Sequence, residues 1–530
     1  MNVQLYDTTL RDGAQRAGIS FSVEDKLKIA KRLDELGIHF IEGGWPGANP
    51  KDTEFFIRAR DLALSHARLV AFGSTRPAKT EAAKDPGLRA LLDTGMQVFT
   101  LVGKSWDLHV TEVLQTTLEE NLRMITDSIS YLKAEGKTVF FDAEHFFDGY
   151  KADAKYALRT VKAAAEAGVD CVVLCDTNVG ALPEEIAVAV KAAGKDGVPL
   201  GIHAHNDSEL GVANTLAAVQ AGVTQVQGTI NGYGERCGNA NLCSIIPALK
   251  LKMGIDCISD EQLAGLTEVA RYVSELANMS LDPHLPYVGA SAFTHKAGLH
   301  ISGMTKQEES YQHIDPDLVG NRSQVLVSEL SGMSAITYKA SELGLNIPRG
   351  ERAREVLEQL KSLESQGFQY EGAEASFELL LRRSQPDYEP PFELVDFMVV
   401  VERLRRLPTT AVREYLLSEA MVKVRVGGEL YHTAAEGNGP VNALDAALRK
   451  ALLQFYPSLA AVKLVDYKVR ILDESQGTES IVRVLMESSD GEHDWHTVGS
   501  STNIIEASWI ALADSLEYWL VRKGETPPGA

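Results

Sequence analysis

His203 and His205 stand two residues apart in GIHAHND, inside a short apolar run of β type, with Asn206 and Asp207 behind them. Side chains two apart on a strand project the same way, so both imidazoles can reach one metal ion. Two imidazoles make half a site. A catalytic divalent ion takes about three protein ligands and keeps open positions, so a carboxylate has to come from elsewhere. Asp12, in DTTLRDG at residues 7–13, is the natural partner, and Arg11 beside it can stabilise charge developing on a carbonyl oxygen. Glu42 can pair with Arg11 and fix its orientation, or the two can form a purely structural ion pair. Asn239, in NGYGERCGNANL at residues 231–242, offers a further ligand oxygen on a loop whose glycines 232, 234 and 238 permit close approach.

These residues need a frame that brings strand ends together. From residue 3 to about 255 the chain repeats a short β-rich apolar run, a polar turn and a segment of helical period. Eight such runs can be read, at 3–10, 38–44, 68–74, 97–103, 138–145, 170–177, 199–205 and 224–231, separated by helical segments such as Val23–Leu36, Leu118–Lys133, Asp153–Ala167, Pro183–Ala193 and Gly211–Ala221. Strand-helix alternation predicts a parallel sheet covered by helices. Eight units in about 250 residues, with no GxGxxG after the first strand, fit a closed (β/α)8 TIM barrel better than an open doubly wound sheet. Active sites of such barrels lie where strands end. Here the ends carry Arg11-Asp12, Glu42, Glu144, Asp176-Thr177 and the histidine pair.

Beyond the barrel come a helical region with FTHKAGLHISG (293–303), a polar helical stretch near Arg349–Gly367 and a linker-like SQPDYEPP (384–391). The remainder reads twice as strands, a Gly-rich turn and an amphipathic helix: strands near 420–432 before GNGPVNALDAALRKALL, and strands near 467–487 before VGSSTNIIEASWIALADSL. That is an internal duplication of α+β type. The expected division is a barrel over 1–275, a helical linker region contributing to the active site over 276–390, and the duplicated domain over 391–530.

Composition narrows the class. With 530 residues and 45% hydrophobic content the chain can bury a large core, and 52 Lys+Arg against 73 Asp+Glu leave a formal charge of −21. No basic run tracks phosphates, so neither nucleic acid nor a membrane is an expected partner. No apolar run spans a bilayer, and Met1-Asn2-Val3 leads into a strand with no signal-peptide pattern, so the expected location is cytoplasmic. Five cysteines (Cys171, Cys175, Cys237, Cys243, Cys257) without CxxC spacing suit free thiols in a reducing compartment.

DTTLRDG, Glu42, HAHND and NGYGERCGNANL together resemble the DRE-TIM metallolyase superfamily, in its acyl-CoA condensing branch of 2-isopropylmalate, citramalate and homocitrate synthases. The duplicated segment is similar to the regulatory (LeuA dimer-like) domain of that branch, and EGGWPGAN (42–49) with FDAEHFFDGY (141–150) looks most like one class of (R)-citramalate synthases. The resemblance implies Asp12, His203 and His205 as ligands of a divalent ion (Mn, Mg or Zn), with Asn239 as fourth. It implies Arg11 on the keto oxygen of a 2-oxoacid, Glu42 holding Arg11, Thr177 on the substrate carboxylate and Glu144 as a catalytic glutamate. His300 in HKAGLH would reach the partner subunit's barrel and act as base, with Tyr311 nearby, which requires a homodimer. Ala14 departs from relatives that carry Glu after DG.

The implied reaction is a Claisen condensation of acetyl-CoA with pyruvate, giving citramalate and CoA for isoleucine biosynthesis, with feedback by isoleucine at the C-terminal domain. Condensation with 2-oxoisovalerate, as in 2-isopropylmalate synthases of leucine biosynthesis, is the alternative. The choice turns on pocket lining, where Leu101, Phe72 and Asp142 are candidates. A non-catalytic amino-acid-sensing scaffold is the reading of another class, and the full set of Arg11, Asp12, Glu144, His203 and His205 argues against it. A DRE-TIM aldolase or lyase is disfavoured by the C-terminal domain.

Overall fold

The computed structural model describes residues 2–296, 298–304, 306–326, 333–345, 347, 350–403, 416–472 and 479–525. It divides into two compact units, one holding residues 1–293 with 313–323, the other 294–312 with 324–530.

The first unit is a closed barrel of eight strands in sequential order, β1 (Gln4–Asp7), β2 (Phe40–Gly44), β3 (Arg68–Ser74), β4 (Val98–Lys104), β5 (Thr138–Glu144), β6 (Cys171–Asp176), β7 (Leu200–Ala204) and β8 (Gln225–Gly228). All pairs are parallel, and the ring closes where Gln4–Asp7 pair with Gln225–Gly228. Around it run α1 (Val23–Glu35), α2 (Pro50–Ala59), α3 (Pro86–Asp93), α4 (Leu118–Ala134), α5 (Phe146–Glu166), α6 (Pro183–Ala193), α7 (Gly211–Gln220) and α8 (Leu242–Pro247), followed by α9 (Asp260–Ala264) and α10 (Leu266–Leu276). Local sequence sets the helix starts. Ser22 and Asp25 form a reciprocal capping box on α1, Thr117 caps α4, and proline opens α2, α3 and α6.

The period of two along each strand sorts the residues into two faces. Ile41, Phe99, Leu101, Val139, Phe141, Val172 and Leu174 pack outward under the helices. Tyr6, Phe40, Val70, Val98, Phe140, Cys171, Val173 and Cys175 fill the barrel interior. On the same inward parity, one step nearer the strand ends, come Glu42, Thr100, Asp142 and Gln227, all buried polar groups. They form the floor of the site.

One helix begins earlier than its periodicity suggests. α5 starts at Phe146, not near Asp153, and Asp153 interrupts it at φ −142°, its carboxylate accepting from Tyr156 N at 3.1 Å. The cap signal at Asp153 is therefore real, and an extra turn packs ahead of it. Gly149 makes that possible, because a Cβ there would lie 2.4 Å from Ser105 O.

The second unit holds a short parallel pair, β9 (Thr294–His295) with β10 (Gln324–Val325), and helices α11 (Gly298–Met304), α12 (Met333–Glu342), α13 (Glu351–Ser365) and α14 (Glu374–Arg383). Arg349, where the polar helical stretch was expected to begin, lies outside the described residues. Two matching sets follow. β11 (Glu393–Arg403), β12 (Leu416–Val426) and β13 (Glu429–Gly437) form an antiparallel sheet before α15 (Pro440–Leu452); β14 (Lys463–Ile471), β15 (Val482–Ser489) and β16 (Asp494–Ser501) form another before α16 (Ile504–Lys523).

The duplication extends to irregularities. A bulge between Leu394 and Asp396 recurs between Leu464 and Asp466, in LVDF and LVDY respectively. Thr433 Oγ1 donates to Ala447 O at 2.8 Å and Thr497 Oγ1 to Ala511 O at 2.7 Å. Each half has three strands among the described residues.

Candidate metal centre and substrate cavity

Asp12, His203 and His205 converge at the strand ends, all buried, their ligand-type atoms within 4.8 Å of one another. Asp12 leaves the turn after β1, and the histidines occupy consecutive inward positions at the end of β7. His203 Nε2 lies 3.2 Å from Asp12 Oδ2 and 3.3 Å from His205 Nε2. Ligand atoms held at about 2.0–2.2 Å from a common ion stand roughly 3 Å apart, as these do. Asn239 arrives from the loop after β8, which runs beside the end of β7: Asn206 N donates to Gly238 O and Ala240 N to Ala204 O, both at 2.8 Å. Gly234 clears the way, since a Cβ there would sit 2.0 Å from Asn239 Oδ1. Arg236 braces the loop by donating from Nε to Asp207 Oδ1 at 2.8 Å, which gives the Asp207 of HAHND its place.

The donor set fits a divalent ion. Asn239 Nδ2 donates to Asp12 Oδ2 at 2.9 Å, while Asn239 Oδ1 and His205 Nδ1 are buried with no hydrogen-bond partner among the described residues. Buried polar atoms without partners are costly. Burial by itself would raise Asp12, but the Arg11 charge and the His203 hydrogen bond outweigh it and hold the carboxyl far below its ordinary range. Burial and then the His203 charge press His205 down to about 3, so its imidazole stays neutral with a lone pair to give. His203 goes the other way: burial lowers it, and the hydrogen bond and charge of Asp12 more than reverse that.

Arg11 is aimed by two contacts. Its Nε donates to Glu42 Oε1 at 2.5 Å, and its guanidinium carbon lies 3.9 Å from the centre of the Phe72 ring. Glu42 is held in turn by the Tyr6 hydroxyl, which donates to Oε2 at 2.6 Å and contacts Thr100 Oγ1 at 2.7 Å. Glu42 thus touches Arg11 from below the cavity.

The cavity above has a volume of about 570 Å³ and is lined by Arg11, Asp12, Phe72, Val102, Lys104, Asp142, Glu144, Thr177, His203 and His205. That is ample for small substrates. Thr177 Oγ1 accepts from His145 N at 3.3 Å. Glu144 is ion-paired with Lys104. Leu101, expected in the lining, is fully buried on the outward face of β4; Val102, its neighbour on the inward parity, takes that place. Asp142 and Phe72 do line the cavity. Burial, reinforced by the charge of Glu42, pushes Asp142 up to about 7.

Among the residues that escaped the sequence reading are Lys104, Gln227 and Trp45, whose ring meets Phe72 edge-on at 5.3 Å. Lys104 was within reach. Extending the fourth run by one residue beyond Gly103 puts a lysine on the inward parity beside Glu144. His300 and Tyr311 belong to the second unit, where their rings stack with centroids 4.6 Å apart.

A closed eight-stranded barrel that gathers aspartate, two histidines and an arginine at its strand ends matches the HMGL-like family over residues 2–273, and the chain belongs to that family, within the DRE-TIM superfamily. Residues 287–367 match the homocitrate synthase post-HMGL domain-like family and 371–520 the LeuA allosteric (dimerisation) domain. Among curated relatives, the (R)-citramalate synthase of Geobacter sulfurreducens is 55% identical over 525 residues, covering 99% of this chain and 98% of its own. That of Aquifex aeolicus is 52% identical over 529 residues with the same coverage, and a probable 2-isopropylmalate synthase of Methanopyrus kandleri is 32% identical over 513, covering 96% of each chain.

Proposed function

We propose that this chain condenses acetyl-CoA with pyruvate to give (R)-citramalate and CoA, in isoleucine biosynthesis in the cytoplasm. One observation carries the reading: five relatives bearing that activity's name are 46–55% identical along nearly the whole chain, barrel and C-terminal unit alike.

Asp12, His203, His205 and Asn239 would hold the divalent ion, which supplies Lewis-acid polarisation of the acceptor's carbonyl. The protein's own groups do the rest. Thr177 binds the pyruvate carboxylate through its hydroxyl. His300, with Tyr311 beside it, takes a proton from the acetyl methyl group; the enolate carbon attacks the ketone carbon, and the ketone π pair moves to oxygen. Arg11, fixed by Glu42 and Phe72, stabilises that oxygen as it gains charge. Glu144, paired with Lys104, stands at the rim where water must reach the thioester; hydrolysis breaks the C–S bond and releases CoA as thiol, making the sequence irreversible.

Because His300 and Tyr311 come from the region that supplies a partner's barrel in the resembling family, the active form is a homodimer. The domain division is 1–275, 276–390 and 391–530, the last binding isoleucine as feedback effector.

Chelator-treated protein is mixed with acetyl-CoA and either pyruvate or 2-oxoisovalerate, with Mn, Mg or Zn restored, and free CoA thiol is measured. Release that depends on pyruvate and on the ion is expected. Release with 2-oxoisovalerate alone would move the reading to 2-isopropylmalate synthesis, the activity in the Methanopyrus relative's name; no 2-oxoacid-dependent release would end it.

A further inference from the structure

The floor beneath the metal centre contains a buried amide and carboxyl to which none of the roles above gives work. His203 Nδ1 lies 2.9 Å from Gln227 Oε1, and Gln227 Nε2 donates to Asp142 Oδ1 at 3.3 Å. Gln227 is fully buried and Asp142 nearly so, on the inward parity of β8 and β5. A glutamine amide has one acceptor oxygen and one donor nitrogen. With the nitrogen committed to Asp142, only the oxygen is left for the imidazole, and an oxygen can bond Nδ1 only if Nδ1 carries the proton. The remaining ring nitrogen, Nε2, is the atom that faces Asp12 and His205.

We propose that Gln227, oriented by Asp142, is a positioning residue that fixes the tautomer and ring plane of His203, so that Nε2 is presented to the ion. Such partners behind a metal-binding imidazole set its orientation and basicity. The arrangement also separates the two histidines. His205 Nδ1 has no partner among the described residues, so the floor pre-orients one ligand and leaves the other to be oriented by the ion. Burial pushes Asp142 up to about 7, and the carboxyl offers Oδ1 as acceptor to Gln227 whether or not Oδ2 carries a proton.

The inference rests on the metal reading above, and titration calorimetry of chelator-treated full-length protein with Mn²⁺ distinguishes the two. Wild type that binds no Mn²⁺ defeats the metal reading itself. Given binding, Gln227→Leu should weaken it by about 10–100-fold with the metal-free melting curve retained, whereas Gln227→Glu, which keeps an acceptor for Nδ1–H, retains most of the affinity. Wild-type affinity in Gln227→Leu, or equal losses in both variants, overturns the proposal. A second measurement needs no floor variant: in metal-free protein labelled with ¹⁵N-histidine, the His203 signal, identified by its loss in His203→Asn, should show Nδ1 protonated. A bare Nδ1 overturns the proposal even if Gln227→Leu fails to fold.

Discussion

Two clusters in this molecule each join one arginine to two buried acids, and they are built to opposite ends. In the second unit Arg383 meets Asp514 and Glu517, and every acid oxygen is taken. Asp514 Oδ1 accepts from Arg383 Nη2 and Oδ2 from Ser376 Oγ; Glu517 Oε1 accepts from Arg383 Nε and the Tyr388 hydroxyl, and Oε2 from Arg383 Nη2. In the barrel Arg11 meets Glu42 and Asp12, but only Glu42 is closed in this way. Asp12 faces two imidazoles and an amide, and two neighbouring polar atoms have no partner among the described residues. A cluster whose valences are filled from within is a brace. One that keeps unfilled valences beside a cavity is waiting for something from outside the chain.

The comparison breaks if the arginines are interchangeable in effect. Arg11→Ala should cut kcat for CoA release by about 10²–10³-fold in protein that still folds, and an enzyme of normal rate would make the barrel cluster another brace. Arg383→Met should do the reverse, leaving CoA release intact while destabilising the second unit by about 2 kcal/mol in chemical denaturation. That figure is on the low side for a broken buried pair because part of the Arg383 side chain meets solvent. Lys104→Met tests on which side the Lys104–Glu144 pair falls; a loss of about tenfold in kcat with unchanged stability, partly restored by Lys104→Arg, assigns it to the working side. A pH-dependent effect belongs to Asp7, an acid held by hydrogen bonds, accepting from Thr9 N and Thr9 Oγ1 at 2.8 Å each. Burial pushes it up to about 7, above its value in an unfolded chain. The fold therefore keeps a proton that the unfolded chain has released, and stability is lost as pH rises from about 4 to about 7. Against Asp7→Asn, the wild type should lose up to about 1.4 kcal/mol per pH unit between pH 5 and 7. Parallel stability curves for the two proteins would rule this out.

The open cluster was legible in the sequence and the closed one was not. HxH, RD and GNAN are local strings whose chemistry survives being read alone, and strand parity placed them on one mouth. β3 and α6 match the apolar runs residue for residue. Arg383, Asp514 and Glu517 sit on two helices more than a hundred residues apart, and no local pattern joins them. Gln227 was hidden for a different reason: an isolated glutamine in a strand says nothing until the histidine it supports is seen. Leu101 was misplaced by one position because strand period was not carried through to the lining, and the extra turns of α5 lie ahead of Asp153, whose own cap geometry interrupts the helix.

The cluster proposed to hold the ion takes its members from residue 12 and from residues 203 to 239, and the first and last strands of the ring are zipped together beside it. Asp12 and Asn239 are 227 positions apart, so no partial barrel emerging from a ribosome can assemble the cluster before its final strand is made. Contacts so distant along the chain form late and slowly. On the proposed metal reading, ion capture during refolding would therefore be a clock for ring closure, with uptake tracking the last kinetic phase of the barrel and none of the earlier ones.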